Sequence, residues 1–188
     1  MTVWSIAQDE VDMLNSEHEQ KVKLPGVKLP AEVQATTDLQ RVIEGKDLLV
    51  LAVPSPFTRS TARSMKPFVG ENQLIVSVAK GIEADSLLTL TQIIEEEIPQ
   101  CRTAVLCGPT HAEEVGKGMP TAIVAGSRSR EDAVYVQDIF MSEVFRVYTS
   151  PDVLGMQVGA ALKNVVALAA GIAWWRANSG QGPSPKGY

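Results

Sequence analysis

Short runs of apolar residues alternate along the chain with stretches in which apolar residues recur at helical spacing. Residues 47–54 contain the clearest run, which ends at Pro54, and residues 73–78 and 103–107 repeat the pattern. Continuous apolar runs of this length are typical of strands that are buried on both faces of a parallel sheet. Strands that alternate with helical stretches predict an α/β fold with a mostly parallel sheet.

The same patterns predict the remaining elements. Further short strands are predicted at residues 2–4, 33–36, 121–125 and 144–148. Helices are predicted at residues 7–20, 38–44, 57–65, 86–97, 112–115, 130–140 and 152–173.

The last predicted helix, residues 152–173, is apolar on nearly every face but carries Lys163 and Asn164 near its centre. A lysine at the centre of a membrane span costs about 2.5–3.5 kcal/mol on insertion scales, so we expect a buried core helix and no membrane span. Burial disfavours the charged form of an amine, and a buried lysine can therefore serve as a general base. The alternative is a lysine whose stem covers the rim of the core while its head reaches water.

Composition and charge narrow the classes of function. The 188 residues suit one domain, or one domain with part of a second. With 17 Lys and Arg against 22 Asp and Glu, the net charge is -5, and we expect no nucleic acid to be bound. Cys101 and Cys107 are too few for a disulfide framework or a four-ligand zinc site. We expect reduced thiols, no metal and, because no secretory signal opens the sequence, a cytoplasmic protein.

Three predicted strands end in turns rich in glycine, proline or polar residues. Ligands of open α/β sheets bind at the carboxyl ends of the strands, so these turns predict one binding ledge. Lys80 offers a positive charge there, and the backbone N–H groups that follow Gly108 suit an anion such as phosphate. His111 is a candidate base, but it lacks a partner pattern and is predicted to be a turn residue. The turns are Val53-Pro54-Ser55, Ala79-Lys80-Gly81 and Gly108-Pro109-Thr110-His111.

Six motifs occur in the order and spacing of bacterial NAD(P)-dependent glycerol-3-phosphate dehydrogenases, and the chain resembles this family over roughly residues 2–173. The resemblance implies an oxidoreductase that interconverts sn-glycerol 3-phosphate and dihydroxyacetone phosphate with NAD or NADP. It also implies a role in supplying glycerol 3-phosphate for phospholipid synthesis. The motifs are KLPGVKLP (23–30), AVPS (52–55), AKGIE (79–83), GPTHAEEV (108–115), FRVY (145–148) and GAALKNV (159–165).

The resemblance also implies roles for single residues. Lys163 would accept the proton of the C2 hydroxyl while hydride leaves the carbon, and Lys80, a second catalytic residue, would stabilise the developing oxyanion. Ile6, which follows Trp4-Ser5, leaves the choice between NAD and NADP open. The resemblance assigns substrate binding to Lys80, Gly108, Thr110, Lys163 and Asn164, and cofactor binding to Ser5, Phe57, Lys80 and Ala112.

The sequence departs from the family in two places. The strand and the Gly-x-Gly-x-x-Gly loop that open the family do not occur in it, and residues from Trp174 onward match none of the family's helical substrate domain. The implied fold class is α/β, a Rossmann-like, mostly parallel sheet that lacks its first βα unit. Residues 1–150 would form this partial dinucleotide-binding domain. Residues 151–175 would be the first helix of an otherwise missing α-helical substrate domain, and residues 176–188 a disordered tail.

These departures leave other hypotheses open. Without the central strand and the second domain, strand edges and the helix around Lys163 would be uncovered, so we expect no turnover from these residues alone. One alternative is a non-catalytic gene fragment or an aggregation-prone interaction remnant. Another is a dehydrogenase of the same superfamily that acts on a 3-hydroxyacid. Assembly into a homo-oligomer is also left open.

Overall fold

The computed structural model describes residues 1–179, in which strands and α-helices alternate strictly. The strands are β1 (Thr2–Trp4), β2 (Gln34–Thr36), β3 (Leu48–Leu51), β4 (Leu74–Ser77), β5 (Arg102–Cys107), β6 (Thr121–Gly126) and β7 (Phe145–Ser150). The helices are α1 (Gln8–Glu17), α2 (Leu39–Ile43), α3 (Thr58–Met65), α4 (Leu90–Glu97), α5 (Ala112–Gly116), α6 (Arg130–Phe140) and α7 (Val153–Asn178). The predicted α/β class is confirmed.

The strands form two separate sheets. Five of them pair in the order β3-β4-β5-β6-β7, and β1 pairs with β2. Every pairing is parallel except that of β5 with β6, which confirms a mostly parallel sheet. Within residues 1–179 no ladder joins the two sheets. This division is the one expected of a doubly wound sheet without its central strand.

The core lies on both faces of the five-stranded sheet because successive strand residues point to opposite sides. On one face Ile75 packs with Leu49 of β3 and Ile94 of α4. On the other face Val76 packs with Leu106 of β5 and with residues of α6. Burying each such side chain contributes about 1.5–3 kcal/mol, so this double layer holds the strand ends in fixed relation to each other.

The first turns of α7 are fixed to the rest of the fold. The side-chain oxygen of buried Gln157 accepts a hydrogen bond from the backbone N–H of Thr91 at 3.0 Å. Its amide nitrogen donates to the hydroxyls of Thr89 and Thr91 at 3.2 and 2.8 Å. Met156 packs over Gly126, where an added Cβ would lie 2.6 Å from the Met156 sulfur. These contacts set the direction in which α7 leaves the sheet.

The second half of α7 is largely exposed. Val165, Leu168 and Ile172 are 60, 66 and 52% exposed, and Trp174 and Trp175 are 69 and 65% exposed. The expectation of a buried core helix is wrong for this half. The physical reason is that, in the part of the chain that the structure describes, α7 packs most extensively against β5, and its one buried residue, Gln157, lies near its start.

α7 also continues beyond its predicted end at residue 173. Residues 174–178 include neither glycine nor proline, and the Asn178 side chain donates a hydrogen bond to the Trp174 carbonyl at 2.8 Å. Residues 176–178 are therefore helical rather than part of a disordered tail, whereas 180–188 lie outside the described residues. By length and composition α7 could cross a membrane, and a single helix of this kind is weak evidence for a membrane span.

Candidate active site

The turns that follow β3, β4 and β5 lie next to each other, as the sequence predicts. Gly81, after β4, approaches the turn after β3 so closely that an added Cβ would lie 2.6 Å from Ser55 Oγ, and its φ of +152° favours glycine. Lys80 Nζ donates a hydrogen bond to the Thr110 carbonyl, after β5, at 3.4 Å. The structure thus brings three predicted ledge segments together.

The turn after β5 is compact and carries Thr110, His111 and Ala112. Gly108 passes close to β6, where an added Cβ would lie 3.1 Å from the Ile123 Cα. The Thr110 N–H donates to the Gly108 carbonyl at 2.9 Å, which turns the chain sharply before α5 begins at Ala112. The predicted substrate residues Gly108 and Thr110 therefore lie at the same end of the sheet as Lys80.

Lys163 meets the turn after β5 from the other side. It is half-buried on α7, and its Nζ lies 3.5 Å from His111 Nε2. The burial that the sequence predicts for this amine is therefore only partial. His111, which the sequence marks as a turn residue, does precede α5, but it also contacts the candidate proton acceptor.

The two candidate lysines lie close enough to influence each other. Partial burial lowers the pKa of Lys80 below the ordinary lysine value, and the positive charge of Lys163 lowers it further. Burial raises the pKa of the nearby Cys107 thiol, while the Lys80 charge acts in the opposite direction. A negative charge placed between the two amines would relieve their repulsion.

A cavity of about 810 Å³ opens beside this cluster. Its lining includes the polar residues Lys80, Thr110 and His111 and apolar residues such as Leu106 and Phe140. A largely apolar cavity with a few convergent polar groups is the usual form of a small-molecule site. Ala112 also lines the cavity, at the position where the resemblance implies cofactor contact.

Three predicted site residues are not drawn into this cluster. Ser5 Oγ donates to Glu10 at 2.8 Å and accepts from the Ala7 N–H at 3.3 Å, so its hydroxyl is engaged with the residues at the start of α1. Phe57 lies in the turn after β3 with 58% of its surface exposed. Asn164 is exposed on α7.

The residues fit a nicotinamide dinucleotide in part. Gly81 lies close to Ser55 at the ends of β3 and β4, where a dinucleotide would bind in this kind of sheet, and Lys80 supplies a cation there. The Gly-x-Gly-x-x-Gly loop that would hold the pyrophosphate does not occur in the 188 residues. Among the described residues no cluster of three or more His, Cys, Asp or Glu could hold a metal ion.

Comparison with known sequences shows which protein family this chain resembles. A family model described as the N-terminus of NAD-dependent glycerol-3-phosphate dehydrogenase matches residues 1–133. A glycerol-3-phosphate dehydrogenase (NAD(P)+) of Agathobacter rectalis is 60% identical over 171 residues, which are 91% of this chain and 51% of the relative. The corresponding protein of Fusobacterium nucleatum is 50% identical over 175 residues, 92% of this chain and 52% of its own length. The chain spans about half the length of the curated relatives it matches.

Solved structures of glycerol-3-phosphate dehydrogenases are also similar to this chain. Glycerol-3-phosphate dehydrogenase of Coxiella burnetii superposes with a TM-score of 0.85 at 29% identity, over 92% of this chain and 53% of that one. The glycerol-3-phosphate dehydrogenase of Saccharomyces cerevisiae gives a TM-score of 0.81 at 25% identity, over 92% and 54%. A pyrroline-5-carboxylate reductase of Coxiella burnetii, at 16% identity and a TM-score of 0.61, is similar in fold alone.

Proposed function

Because this chain belongs to the family of NAD-dependent glycerol-3-phosphate dehydrogenases, we propose that it supplies the cofactor domain and the proton acceptor of an enzyme that interconverts sn-glycerol 3-phosphate and dihydroxyacetone phosphate. One observation carries the proposal. The Lys163 amine meets the turn after β5 beside a cavity whose wall includes Lys80. NAD or NADP, when bound, would accept or donate the hydride at the substrate C2 carbon.

The two lysines account for the proton and the charge in this reaction. In the oxidative direction Lys163, as a free amine, takes the proton of the C2 hydroxyl. In the reductive direction it returns that proton to the C2 oxygen. Lys80 carries its positive charge toward the same oxygen, where negative charge develops in the transition state. Burial and, to a smaller extent, the positive charge of Lys163 lower the pKa of Lys80. In the reductive direction, where Lys163 begins protonated, the negative charge that develops on the C2 oxygen offsets the repulsion between the two amines.

The same proposal implies a cellular compartment and a metabolic role for the enzyme. We propose a cytoplasmic protein that provides glycerol 3-phosphate for phospholipid synthesis. The free thiols Cys101 and Cys107 support a reducing compartment, and burial raises the pKa of Cys101 to about 11, which protects it from oxidation.

A domain exchange tests the proposal on these residues. Residues 1–173 would replace the matching segment of the Agathobacter rectalis relative, with the flanking parts of that relative kept. We expect NADH or NADPH oxidation that depends on dihydroxyacetone phosphate. The variant Lys163→Met should lose activity by about 10²-fold or more, because general acid–base catalysis contributes about 10²–10⁴-fold.

The matched control is Lys21→Met, which changes a surface lysine that pairs with Glu17 on the neighbouring turn. It should keep full activity. An exchanged protein that folds and binds NADH without turning over dihydroxyacetone phosphate would refute the proposal, and so would full activity in Lys163→Met.

The exposed half of α7 favours a second candidate function, a non-catalytic association of two copies of this chain. Trp174 and Trp175 are each about two-thirds exposed. Since an aromatic side chain can bury about 150–250 Å², this pair alone offers a sizeable share of the roughly 800 Å² per partner of a standard interface. Light scattering tests this second candidate, because a strictly monomeric chain excludes it.

A further inference from the structure

We propose that His111 is a positioning residue for Lys163. Its Nε2 accepts a hydrogen bond from Lys163 Nζ and so sets the orientation of the amine beside the cavity that His111 lines. The inference rests on the proposed function in one respect, since that function makes Lys163 the proton acceptor.

The contact joins two elements that are each held in place. His111 directly precedes α5, and its carbonyl accepts the Val115 N–H at 3.1 Å. Lys163 lies on α7, whose first turns are fixed by the buried Gln157 hydrogen bonds. The 3.5 Å separation of His111 Nε2 and Lys163 Nζ therefore results from two anchored backbones.

Adjacent residues of one turn hold the two lysines of the site. The Thr110 carbonyl accepts a hydrogen bond from Lys80 Nζ at 3.4 Å, and the ring of His111, the next residue, lies 3.5 Å from Lys163 Nζ. The turn after β5 thus holds the Lys80 and Lys163 amines at a fixed spacing, although their positive charges repel each other. Lys80 is held by a carbonyl, which any residue provides, whereas Lys163 depends on the identity of one side chain.

The chemistry of the amine explains why such a contact matters. A neutral lysine has two N–H groups and one lone pair, and a protonated lysine has three N–H groups. In both states one N–H is available to His111 Nε2. When that N–H is engaged, rotation about the Cε–Nζ bond is restricted and the lone pair is directed away from the imidazole. His111 can therefore orient the amine throughout the reaction without itself gaining or losing a proton.

This role requires a particular form of the imidazole. Nε2 can accept a hydrogen bond only when it carries no proton, so the neutral ring must carry its proton on Nδ1. Long-range ¹H–¹⁵N correlation spectra of the chain with ¹⁵N-labelled histidine distinguish the two neutral forms. The measurement is made at about pH 8.5, well above the ordinary histidine pKa of about 6.5.

We expect His111 to carry its proton on Nδ1 in the unmodified chain and to move toward the Nε2–H form in Lys163→Met. The variant Lys163→Arg, which keeps a donor, should retain the Nδ1–H form. His18, the second of the two histidines, is the internal control and should not change. An Nε2–H form in the unmodified chain, or an unchanged Nδ1–H form in Lys163→Met, would overturn the contact.

Kinetics of the domain-exchanged protein test the functional part. A misplaced catalytic group can cost about 10²-fold, so His111→Ala should lower kcat by about 10–100-fold with little change in KM. His111→Gln, whose side-chain oxygen can replace Nε2 as acceptor, should recover much of the loss. An unmodified exchange protein that folds and binds NADH but has no activity would refute the proposed function, while the spectra still decide the contact. An active protein in which His111→Ala leaves kcat unchanged would overturn the positioning role.

Discussion

The two halves of α7 have similar apolar composition and opposite surroundings. In the first half Gln157 is buried against α4, and Met156 packs over β6. In the second half Trp174 and Trp175 are mostly exposed. Apolar composition alone therefore does not decide burial, which depends on whether the fold provides a partner surface.

Lys163 lies where the anchored half ends and the exposed half begins. This location explains why its amine is half-buried and reaches His111 rather than lying wholly in the core or in water. The comparison therefore bears directly on the site, since the anchored half determines where the amine lies.

The largest expected effect contrasts two isoleucines. Ile94 on α4 is fully buried and Ile172 on α7 is 52% exposed. Ile94→Ala removes packed volume from the core and should lower the free energy of unfolding by about 2–5 kcal/mol. Ile172→Ala should change it by less than about 0.5 kcal/mol. Urea denaturation measures both, and equal losses would mean that the second half of α7 has a packing partner.

A smaller effect tests the anchor itself. Gln157→Leu would leave the Thr91 N–H without its acceptor and two threonine hydroxyls without a donor. Unpaired buried polar groups cost about 1–3 kcal/mol, and urea denaturation should show a loss of that size. Asn164→Leu changes an exposed amide on the same helix and should be nearly neutral. A neutral Gln157→Leu would show that packing alone holds α7.

The smallest effect concerns α4, to which the first half of α7 is tied. Arg59 pairs with Glu97 of α4 and with Glu83 in the preceding loop. The Arg59 hydrogen bonds lower the pKa of Glu83 from 4.5 to about 2. Because the folded-state pKa is lowered, the stabilisation is complete above pH 4.5 and is lost as the pH falls toward 2.

Glu83→Gln should therefore flatten the acid side of the stability profile and leave the Gln157 anchor intact near neutral pH. Urea denaturation at a series of pH values checks this expectation. A profile of unchanged slope in Glu83→Gln would mean that other carboxyl groups carry the acid sensitivity.

The strands and most helices could be predicted because their residues carry local signals. The apolar run before Pro54 predicts β3, and Asp38 accepts a hydrogen bond from the Arg41 N–H, as expected of a helix cap. The start of α4 was predicted at residue 86 but lies at Leu90, because Leu87 adopts a left-handed φ of 59°. The sequence contains the capping box of Thr89 and Gln92, and this signal places the start of α4 directly after Thr89.

The site could be predicted only in part. The turns with Lys80 and Thr110 follow apolar runs, and parallel strands bring such turns together. The pairing of His111 with Lys163 spans 52 residues, and no spacing rule encodes it. The exposure of the second half of α7 was missed for a similar reason, since hydrophobicity reports what a helix could bury and not what surrounds it.

The central claim is that α7 brings Lys163 to the turn after β5, which Lys80 also contacts. Amine-to-amine crosslinking of the chain with a short reagent, followed by mass spectrometry of the peptides, tests this claim most directly. The account predicts a link between Lys80 and Lys163 that weakens in Gln157→Leu. Links from Lys163 only to lysines on the far side of the fold, such as Lys46 or Lys66, would contradict it.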